Sequence, residues 1–298
     1  MPLLKKGRFS GRKQRYKNMK IKYLGTAAYE GWPSIFCACD SCRRARAAQG
    51  KNLRSRSQAL INDDLLLDFP PDTSSHVLRY GLDLSKLRHI LITHTHSDHF
   101  YPEDLIMHAN GCYSHYPEDA HLNLVGDIQM VEAYRKFLEE HPSEPKDNNL
   151  SVFEIPHHTP MQLENYTVTA LHARHMSHED ANVYVITDGK KTILYLHDTG
   201  RLAESEHEYL RDNGIHADLV SFDCTFGPKP SSQTSGHMGL VANIEQRDIL
   251  RQNGVIDDAT ICVVNHFSHN GGMIYDEFAP YAKDFGFLVS YDGMELEI

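Results

Sequence analysis

Residues 90–99 read ILITHTHSDH, an aliphatic run that changes abruptly into a string of polar side chains. Four of these polar residues are potential metal ligands: His94, His96, Asp98 and His99. Burying several imidazoles at a strand end is costly unless each one has a partner. The string makes sense if the strand is a rigid support for residues that bind hydrolytic divalent cations, which His and Asp typically ligate. The alternative interpretation is a loop of solvated histidines.

The composition of the 298-residue chain is that of an ordinary globular protein, with 41% hydrophobic residues. It is long enough to bury a substantial core. No apolar run approaches the roughly 18 residues that suggest a membrane span. Residues 1–18 are basic and lack the apolar segment of a secretory signal. We predict a cytoplasmic protein with a single hydrolase domain over residues 19–298, preceded by a disordered or vector-derived extension; the alternative for that extension is a nucleic-acid-binding arm.

The charge balance indicates the class of substrate. Residues 1–20 carry eight Lys and Arg and no acid, so the net charge of −10 for the whole chain becomes −18 for residues 21–298. Nucleic-acid-binding proteins usually present a basic surface. An acidic body therefore favours a small-molecule substrate over a nucleic acid.

Short aliphatic or β-branched segments bounded by turn residues predict many strands with interspersed helices. The strand candidates are residues 20–24, 58–62, 65–68, 89–93, 122–125, 152–155, 166–172, 183–187, 192–197, 219–223, 260–265 and 287–291. Helical periodicity is seen over residues 128–140 and 238–252. This alternation predicts α/β or α+β layers.

Three further candidate ligands each follow a predicted strand far downstream: His175, Asp198 and His266. Residues that end different strands of one sheet can converge despite a large sequence separation. Together with the HTHSDH string they supply enough His and carboxylate groups for two ions. A carboxylate shared between two cations is typical of dinuclear hydrolases, and Asp198 is the candidate for this bridge.

These residues resemble the metallo-β-lactamase superfamily. The resemblance implies a four-layer αβ/βα sandwich of two mixed β-sheets flanked by helices, with Asp198 between two metals and Asp68 behind the ligands, where it orients them. It implies these ligands for the first metal: His94, His96 and His175. It implies these ligands for the second: Asp98, His99 and His266.

Three histidines precede the predicted strand at 183–187, and spacing alone does not choose among them: His172, His175 and His178. His175 best matches the position of the superfamily's ligand. His178 is the other candidate and a potential substrate contact.

A second constellation, FCACDSC, places Cys37, Cys39 and Cys42 in a C-x-C-x2-C pattern. Disulfide pairing is the rival interpretation, but neighbouring cysteines give strained geometry and no secretory signal is present. Three thiolates and one His can form a closed structural zinc site, and His269 is the candidate fourth ligand. The pattern resembles the phosphoribosyl cyclic-phosphate phosphodiesterases of the carbon–phosphorus lyase pathway, in which the second His of a late H-x-x-H completes the structural zinc.

His237, in the segment SGHMGL, is similar to the extra His that phosphodiesterase members place beside their metals. A protonated imidazole beside a leaving oxygen can act as a general acid. The alternative is a solvent-exposed residue at the start of a helix.

These features together predict a dinuclear metal-dependent phosphodiesterase that cleaves a small cyclic or nucleotide-like phosphodiester with a metal-bridging hydroxide. The expected catalytic residues are His237, Asp98 and Asp198. The expected cofactors are two divalent ions, zinc or manganese with iron as a third option, and one structural zinc. The alternatives are a lactone or thioester hydrolase of the same fold and a ribonuclease Z-like RNA-processing enzyme. The oligomeric state, including a homodimer, stays open.

Overall fold

The computed structural model describes residues 18–108, 113–117, 120–141, 149–175, 180–232 and 235–298. The strands found there are β1 (Lys20–Gly25), β2 (Gln58–Ile61), β3 (Leu65–Leu67), β4 (His89–Leu91), β5 (Leu122–Gly126), β6 (Leu150–Glu154), β7 (Met161–Leu163), β8 (Tyr166–His172), β9 (Asn182–Thr187), β10 (Thr192–Leu196), β11 (Leu219–Asp223), β12 (Ile261–Asn265), β13 (Leu288–Val289) and β14 (Glu295–Glu297). The α-helices are α1 (Asp40–Ala48), α2 (Thr73–Tyr80), α3 (Ile128–Glu140), α4 (Glu204–Asp212), α5 (Leu240–Gln252) and α6 (Tyr275–Lys283). Of the predicted basic extension, only Asn18 falls within the described ranges.

The strands form two mixed sheets of seven strands each. The order is β14-β1-β2-β3-β4-β5-β6 in the first sheet and β13-β12-β11-β10-β9-β8-β7 in the second. Strands β3 to β6 are parallel to one another, as are β10 to β13, and the remaining pairs are antiparallel. Parallel strands all end at the same edge of a sheet. The residues that follow β3, β4, β10, β11 and β12 are therefore gathered along the carboxyl edges of the sheets.

Successive side chains along each strand point alternately into the space that separates the two sheets and towards the outer face of the sheet. In β10, Ile193 and Tyr195 belong to the cluster shared by both sheets, whereas Leu194 and Leu196 belong to an outer cluster with residues of α4, α5 and α6. A third cluster packs α3 on the outer face of the first sheet. This helix–sheet–sheet–helix layering confirms the predicted αβ/βα sandwich.

The sequence pattern does not predict α1, α2, α4 or α6. Each of these helices has only eight or nine residues, which is too short for a clear 3.6-residue period. The predicted helix over residues 238–252 begins only at Leu240, because Gly239 is its extended N-cap. None of the helices in the described part of the chain has the length and hydropathy needed to cross a membrane.

Candidate metal centre

The HTHSDH string is supported from both sheets. Thr93, two residues after β4, donates from its N–H and its hydroxyl to Asp68 Oδ1, each at 2.9 Å. Asp68 follows β3 directly and is fully buried. The carbonyl of Thr93 accepts a 2.8 Å hydrogen bond from the N–H of Asn182, the first residue of β9. The backbone that begins the string is thus tied to the second sheet as well as to its own.

Three residues at the carboxyl edge have left-handed backbone conformations: Asp68 (φ 64°), Asp198 (φ 54°) and His266 (φ 61°). Residues other than glycine rarely adopt such angles, which cost about 1–3 kcal/mol each and concentrate at functional sites. Each of the three lies within two residues of the end of β3, β10 or β12. The turn stops the strand abruptly and leaves the side chain at the edge of the sheet.

The first of two candidate ligand sets combines residues from both sheets. It contains His94, His96, His175 and Asp198, whose ligand atoms all lie within 4.8 Å of one another. His96 Nδ1 is 2.9 Å from His94 Nε2 and 3.2 Å from His175 Nε2. Asp198 closes the set, with Oδ2 3.3 Å from His94 Nε2 and Oδ1 3.4 Å from His175 Nδ1.

The second candidate set shares Asp198 with the first. It contains Asp98, His99, Asp198 and His266, and all four residues are buried. His99 Nε2 lies 2.8 Å from Asp198 Oδ2 and 3.2 Å from Asp98 Oδ2. His266 Nε2 lies 3.5 Å from Asp198 Oδ2. The same carboxyl group therefore contacts histidines of both sets, as a bridging ligand must.

The polar atoms of these sets suit divalent cations. Five buried atoms of these sets lie close to other polar atoms but make no hydrogen bond of good geometry within the described structure: Nε2 of His99, Nε2 of His266, Nδ1 of His175, Oδ1 of Asp98 and Oδ1 of Asp198. An unsatisfied buried polar atom costs about 1–3 kcal/mol, so five of them in one place indicate a ligand. Imidazole nitrogens and carboxylate oxygens are the donors that zinc, manganese and iron accept.

The pKa of each ionisable group at this centre depends on the charges of its neighbours. Burial opposes a charge on His99, but Asp98, Asp68 and Asp198 outweigh burial and raise its pKa well above the usual value. Burial likewise opposes ionisation of Asp198, yet the surrounding histidines hold its pKa well below the usual range. The carboxylates thus keep their negative charge in the interior, where a cation would be bound strongly.

A carboxylate outside both sets orients His266. Asp223, the last residue of β11, is fully buried, and its Oδ2 lies 3.3 Å from His266 Nδ1. The Thr225 hydroxyl is 2.9 Å from the same nitrogen. Asp68 holds His99 in the same way, with Oδ2 2.8 Å from Nδ1. Both contacts leave Nε2 for the ligand set, which is the usual arrangement around metal-binding histidines.

His237 lies between the shared carboxylate and Asp223. Its Nδ1 is 3.0 Å from Asp223 Oδ2 and 3.2 Å from Asp198 Oδ1. Burial lowers the pKa of His237, but the two carboxylates outweigh burial and raise it to about 9. The ring lines a cleft of about 690 Å³ that Asp98 and Asp198 also line. A protonated imidazole therefore borders the cleft beside the candidate bridge.

The three cysteines and His269 converge as a separate group. His269 Nδ1 lies 3.7 Å from Cys37 Sγ and 3.4 Å from Cys39 Sγ. Hydrogen bonding, chiefly from Ser41, lowers the pKa of the Cys39 thiol to about 5, which favours the thiolate that zinc binds. His269 also lines the cleft, so this group supports one wall of the candidate metal centre.

Comparison with known protein families identifies the superfamily of this chain. A model described as the beta-lactamase superfamily domain matches residues 66–256, well over half of the chain. The chain belongs to the β-lactamase superfamily. This range includes the HTHSDH string, His175, Asp198 and His237.

Individual relatives of this β-lactamase superfamily member are distant. Coenzyme PQQ synthesis protein B of Acinetobacter baumannii (strain ACICU) is 22% identical over 311 residues, covering 94% of this chain and 100% of that protein. A diphosphatase from the PhnP family is 20% identical with a TM-score of 0.72, covering 94% of this chain and 97% of that one. Zinc-bound PqqB from Methylobacterium extorquens is 17% identical with a TM-score of 0.71, covering 94% and 100%. The fold is that of the metallo-β-lactamase hydrolases, and it implies divalent metal binding.

The structure of this superfamily member brings together every predicted ligand that it describes. His178, the alternative to His175, lies outside the described residues. Asp223 is the site residue that the sequence analysis does not name, although it ends a predicted strand just as Asp198 follows one. Its position at the end of a predicted strand could therefore have marked Asp223 as a candidate site residue. Its contacts with His237 and His266 are apparent only in three dimensions.

The backbone after Asp198 packs closely against the backbone before His237 in this superfamily member. A Cβ atom added at Gly200 would lie 1.9 Å from the carbonyl oxygen of Ser235, two residues before His237. We expect Gly200→Ala to lower the free energy of unfolding by about 1–3 kcal/mol, because a backbone atom must move. Urea denaturation measures this change. Gly126→Ala is the comparison variant, since the three atoms nearest to its Cβ belong to the Met130 side chain rather than to the backbone, the nearest at 2.9 Å, and equal losses in the two variants would contradict the argument.

Proposed function

We propose that this protein is a metal-dependent phosphodiesterase that hydrolyses a small cyclic or nucleotide-like phosphodiester. The observation that carries the proposal is the placement of His237, whose Nδ1 is held by Asp223 and Asp198 at the border of the cleft. The likeness to a diphosphatase from the PhnP family supports phosphorus chemistry.

Two divalent ions, zinc or manganese with iron as a third option, would be held by the two ligand sets that share Asp198. When bound, such ions lower the pKa of water and offset the negative charge of a phosphoryl group. Asp98 and Asp198 contribute charge to this centre, while Asp68 and Asp223 orient the imidazoles of His99 and His266. The cysteine group with His269 would hold a structural zinc.

His237 would act as the general acid. With Nδ1 donating to Asp223 Oδ2, Nε2 is the ring nitrogen available to protonate a leaving oxygen. Against the opposing effect of burial, the neighbouring carboxylates, chiefly Asp223, raise the pKa of this imidazole and so favour its protonated form. Removing a general acid typically costs 10²–10⁴-fold in rate, roughly. This role distinguishes a phosphodiesterase from a lactone or thioester hydrolase built on the same ligands.

The lining of the cleft supports a small substrate. None of the described residues that line it is Lys or Arg, whereas Glu30, Asp98 and Asp198 do line it. A long polyanion such as RNA requires a basic surface, and the described lining of this cleft offers no Lys or Arg. Tyr29 and Phe226 also line the cleft, and aromatic rings of this kind can stack on a nucleobase.

The test compares leaving groups. Zinc- and manganese-loaded wild type and His237→Gln are assayed on bis(p-nitrophenyl) phosphate, cyclic nucleotides, a lactone and a thioester. A p-nitrophenolate leaves without a proton, whereas an alkoxide needs one. We expect His237→Gln to lose about 10²–10⁴-fold on cyclic nucleotides and far less on the p-nitrophenyl ester.

His216→Gln is the matched control for this assay. His216 is half-exposed and pairs with Asp257, outside the cleft lining, so both activities should be unchanged. Equal losses of His237→Gln on both kinds of phosphodiester would contradict the general-acid role. Hydrolysis of the lactone or thioester without any phosphodiesterase activity would overturn the proposed function.

A further inference from the structure

We propose that His157, His172 and Asp180 form an additional binding site for a divalent transition metal, of the zinc class. This site is separate from both the centre around Asp198 and the cysteine group. It lies on the second sheet, where the end of β8 and the start of β9 meet the turn that follows β6.

The three side chains converge on one carboxylate oxygen. Asp180 Oδ1 lies 3.3 Å from His172 Nδ1 and 3.7 Å from His157 Nδ1. One ligand atom from each residue lies within 4.8 Å of the other two. Two imidazoles and one carboxylate form a three-ligand set that zinc uses when its fourth position is open to water. The geometry therefore requires only small side-chain movements to bind a cation.

An ordinary ion pair does not account for this cluster. The ring centroids of His157 and His172 are only 3.5 Å apart, and two protonated imidazoles would repel each other at this distance. His157 is mostly buried, with its Nδ1 3.7 Å from Asp180 Oδ1. Two closely packed imidazoles beside one carboxylate fit a metal-ligand set better than a simple ion pair.

The backbone around the cluster is already held in place by Glu206 of α4. This buried carboxylate lies 2.6 Å from His158 Nε2 and accepts a 3.2 Å hydrogen bond from the N–H of His172. His158 also stacks on Tyr209, with centroids 4.3 Å apart and planes 12° from parallel. On the other side of the turn, the His158 N–H donates to the carbonyl of Ala170 in β8 at 2.9 Å. The residues that present the ligands are thus fixed without any metal.

The experiment measures metal uptake by protein whose catalytic and cysteine sites are already loaded. After removal of excess metal, Zn²⁺ is titrated calorimetrically into wild type, His172→Ala and Asp180→Asn. We expect wild type to bind one additional equivalent and both variants to bind it at least 10-fold more weakly, roughly, because each loses one of three ligands. His172 and Asp180 are half-exposed, so neither substitution disturbs the core.

His216→Ala is the matched control, since it removes a half-exposed His that pairs with an Asp elsewhere. It should bind the additional zinc as wild type does. Crystals soaked in zinc should show an anomalous peak between His157, His172 and Asp180. The proposal is overturned if wild type binds no further zinc, or if His172→Ala retains it. Because the readout is binding, a failure here is distinguishable from a failure of the proposed phosphodiesterase activity.

Discussion

Asp198→Ala is expected to reduce kcat/KM for phosphodiesters on the order of 10³-fold or more while the fold is retained. Asp198 is the one side chain that belongs to both ligand sets. On the proposed function, its loss would remove one ligand from each of two metals and the negative charge between them. Several kcal/mol of transition-state stabilisation depend on such a pair, and each 1.4 kcal/mol or so corresponds to a factor of ten. The measurement is steady-state kinetics together with elemental analysis of the purified variant.

The control for this variant is Asp258→Ala. Asp258 is fully exposed and contacts only the exposed Arg251 among its ion pairs, so metal content and activity should equal those of wild type. Far-ultraviolet circular dichroism should show that both variants are folded. Wild-type turnover by Asp198→Ala at full metal content would rule out the bridging role.

The second large effect is expected for Cys39→Ser, which should lose about one zinc per chain and part of its thermal stability. Cys39 and His269 are in direct contact, and they join the start of α1 to the segment after β12. A metal present at about 100 times its Kd stabilises a fold by about 2.7 kcal/mol. For a chain of 298 residues, losing that contribution lowers Tm by roughly 4 °C. Zinc analysis and differential scanning calorimetry measure the two effects.

Cys262→Ala is the matched variant for this prediction. Cys262 is a buried thiol of β12 that packs in the outer cluster of the second sheet and does not belong to the group that converges on His269. Its removal should leave the zinc content unchanged. If Cys39→Ser and Cys262→Ala contain the same amount of zinc as wild type, the thiolate site does not exist.

The cysteine group and the candidate metal centre share a wall of the cleft. His269 Nε2 lies 3.6 Å from Glu30 Oε1, and the Ser268 hydroxyl donates to the same oxygen. Both residues and Glu30 line the cleft. Loss of the structural zinc is therefore expected to affect catalysis indirectly, through the position of this wall, after stability has already fallen.

Several parts of the centre were predictable because the relevant residues are close in sequence or lie at strand ends. The four ligands of the HTHSDH string lie within six residues shortly after β4, so local geometry alone keeps them together. Asp198 and His266 follow aliphatic strands, and parallel strands end at a common edge. The C-x-C-x2-C spacing likewise brings three thiols together whatever the rest of the chain does.

Other contacts depend on which strands are neighbours, and that order is not written in any local pattern. Asp223 lies beside His266 because β11 pairs with β12, and beside His237 because the segment after β11 folds back and the Met238 N–H donates to Asp223. The cluster of His157, His172 and Asp180 requires the turn after β6 to lie against β8. Short helices such as α1 are equally hidden, since tertiary packing rather than propensity stabilises helices of this length.

The sequence by itself determined the types of ligand and the alternation of strands with helices, while the sandwich of two sheets was implied by the resemblance to the superfamily. The ligand types and the alternation follow from short-range spacing and from the pattern of apolar residues. Only the tertiary structure decided which carboxylate holds His237, which wall His269 supports and where two distant imidazoles meet Asp180. These depend on contacts between segments tens of residues apart, whose free energy is set by the packing of the whole chain.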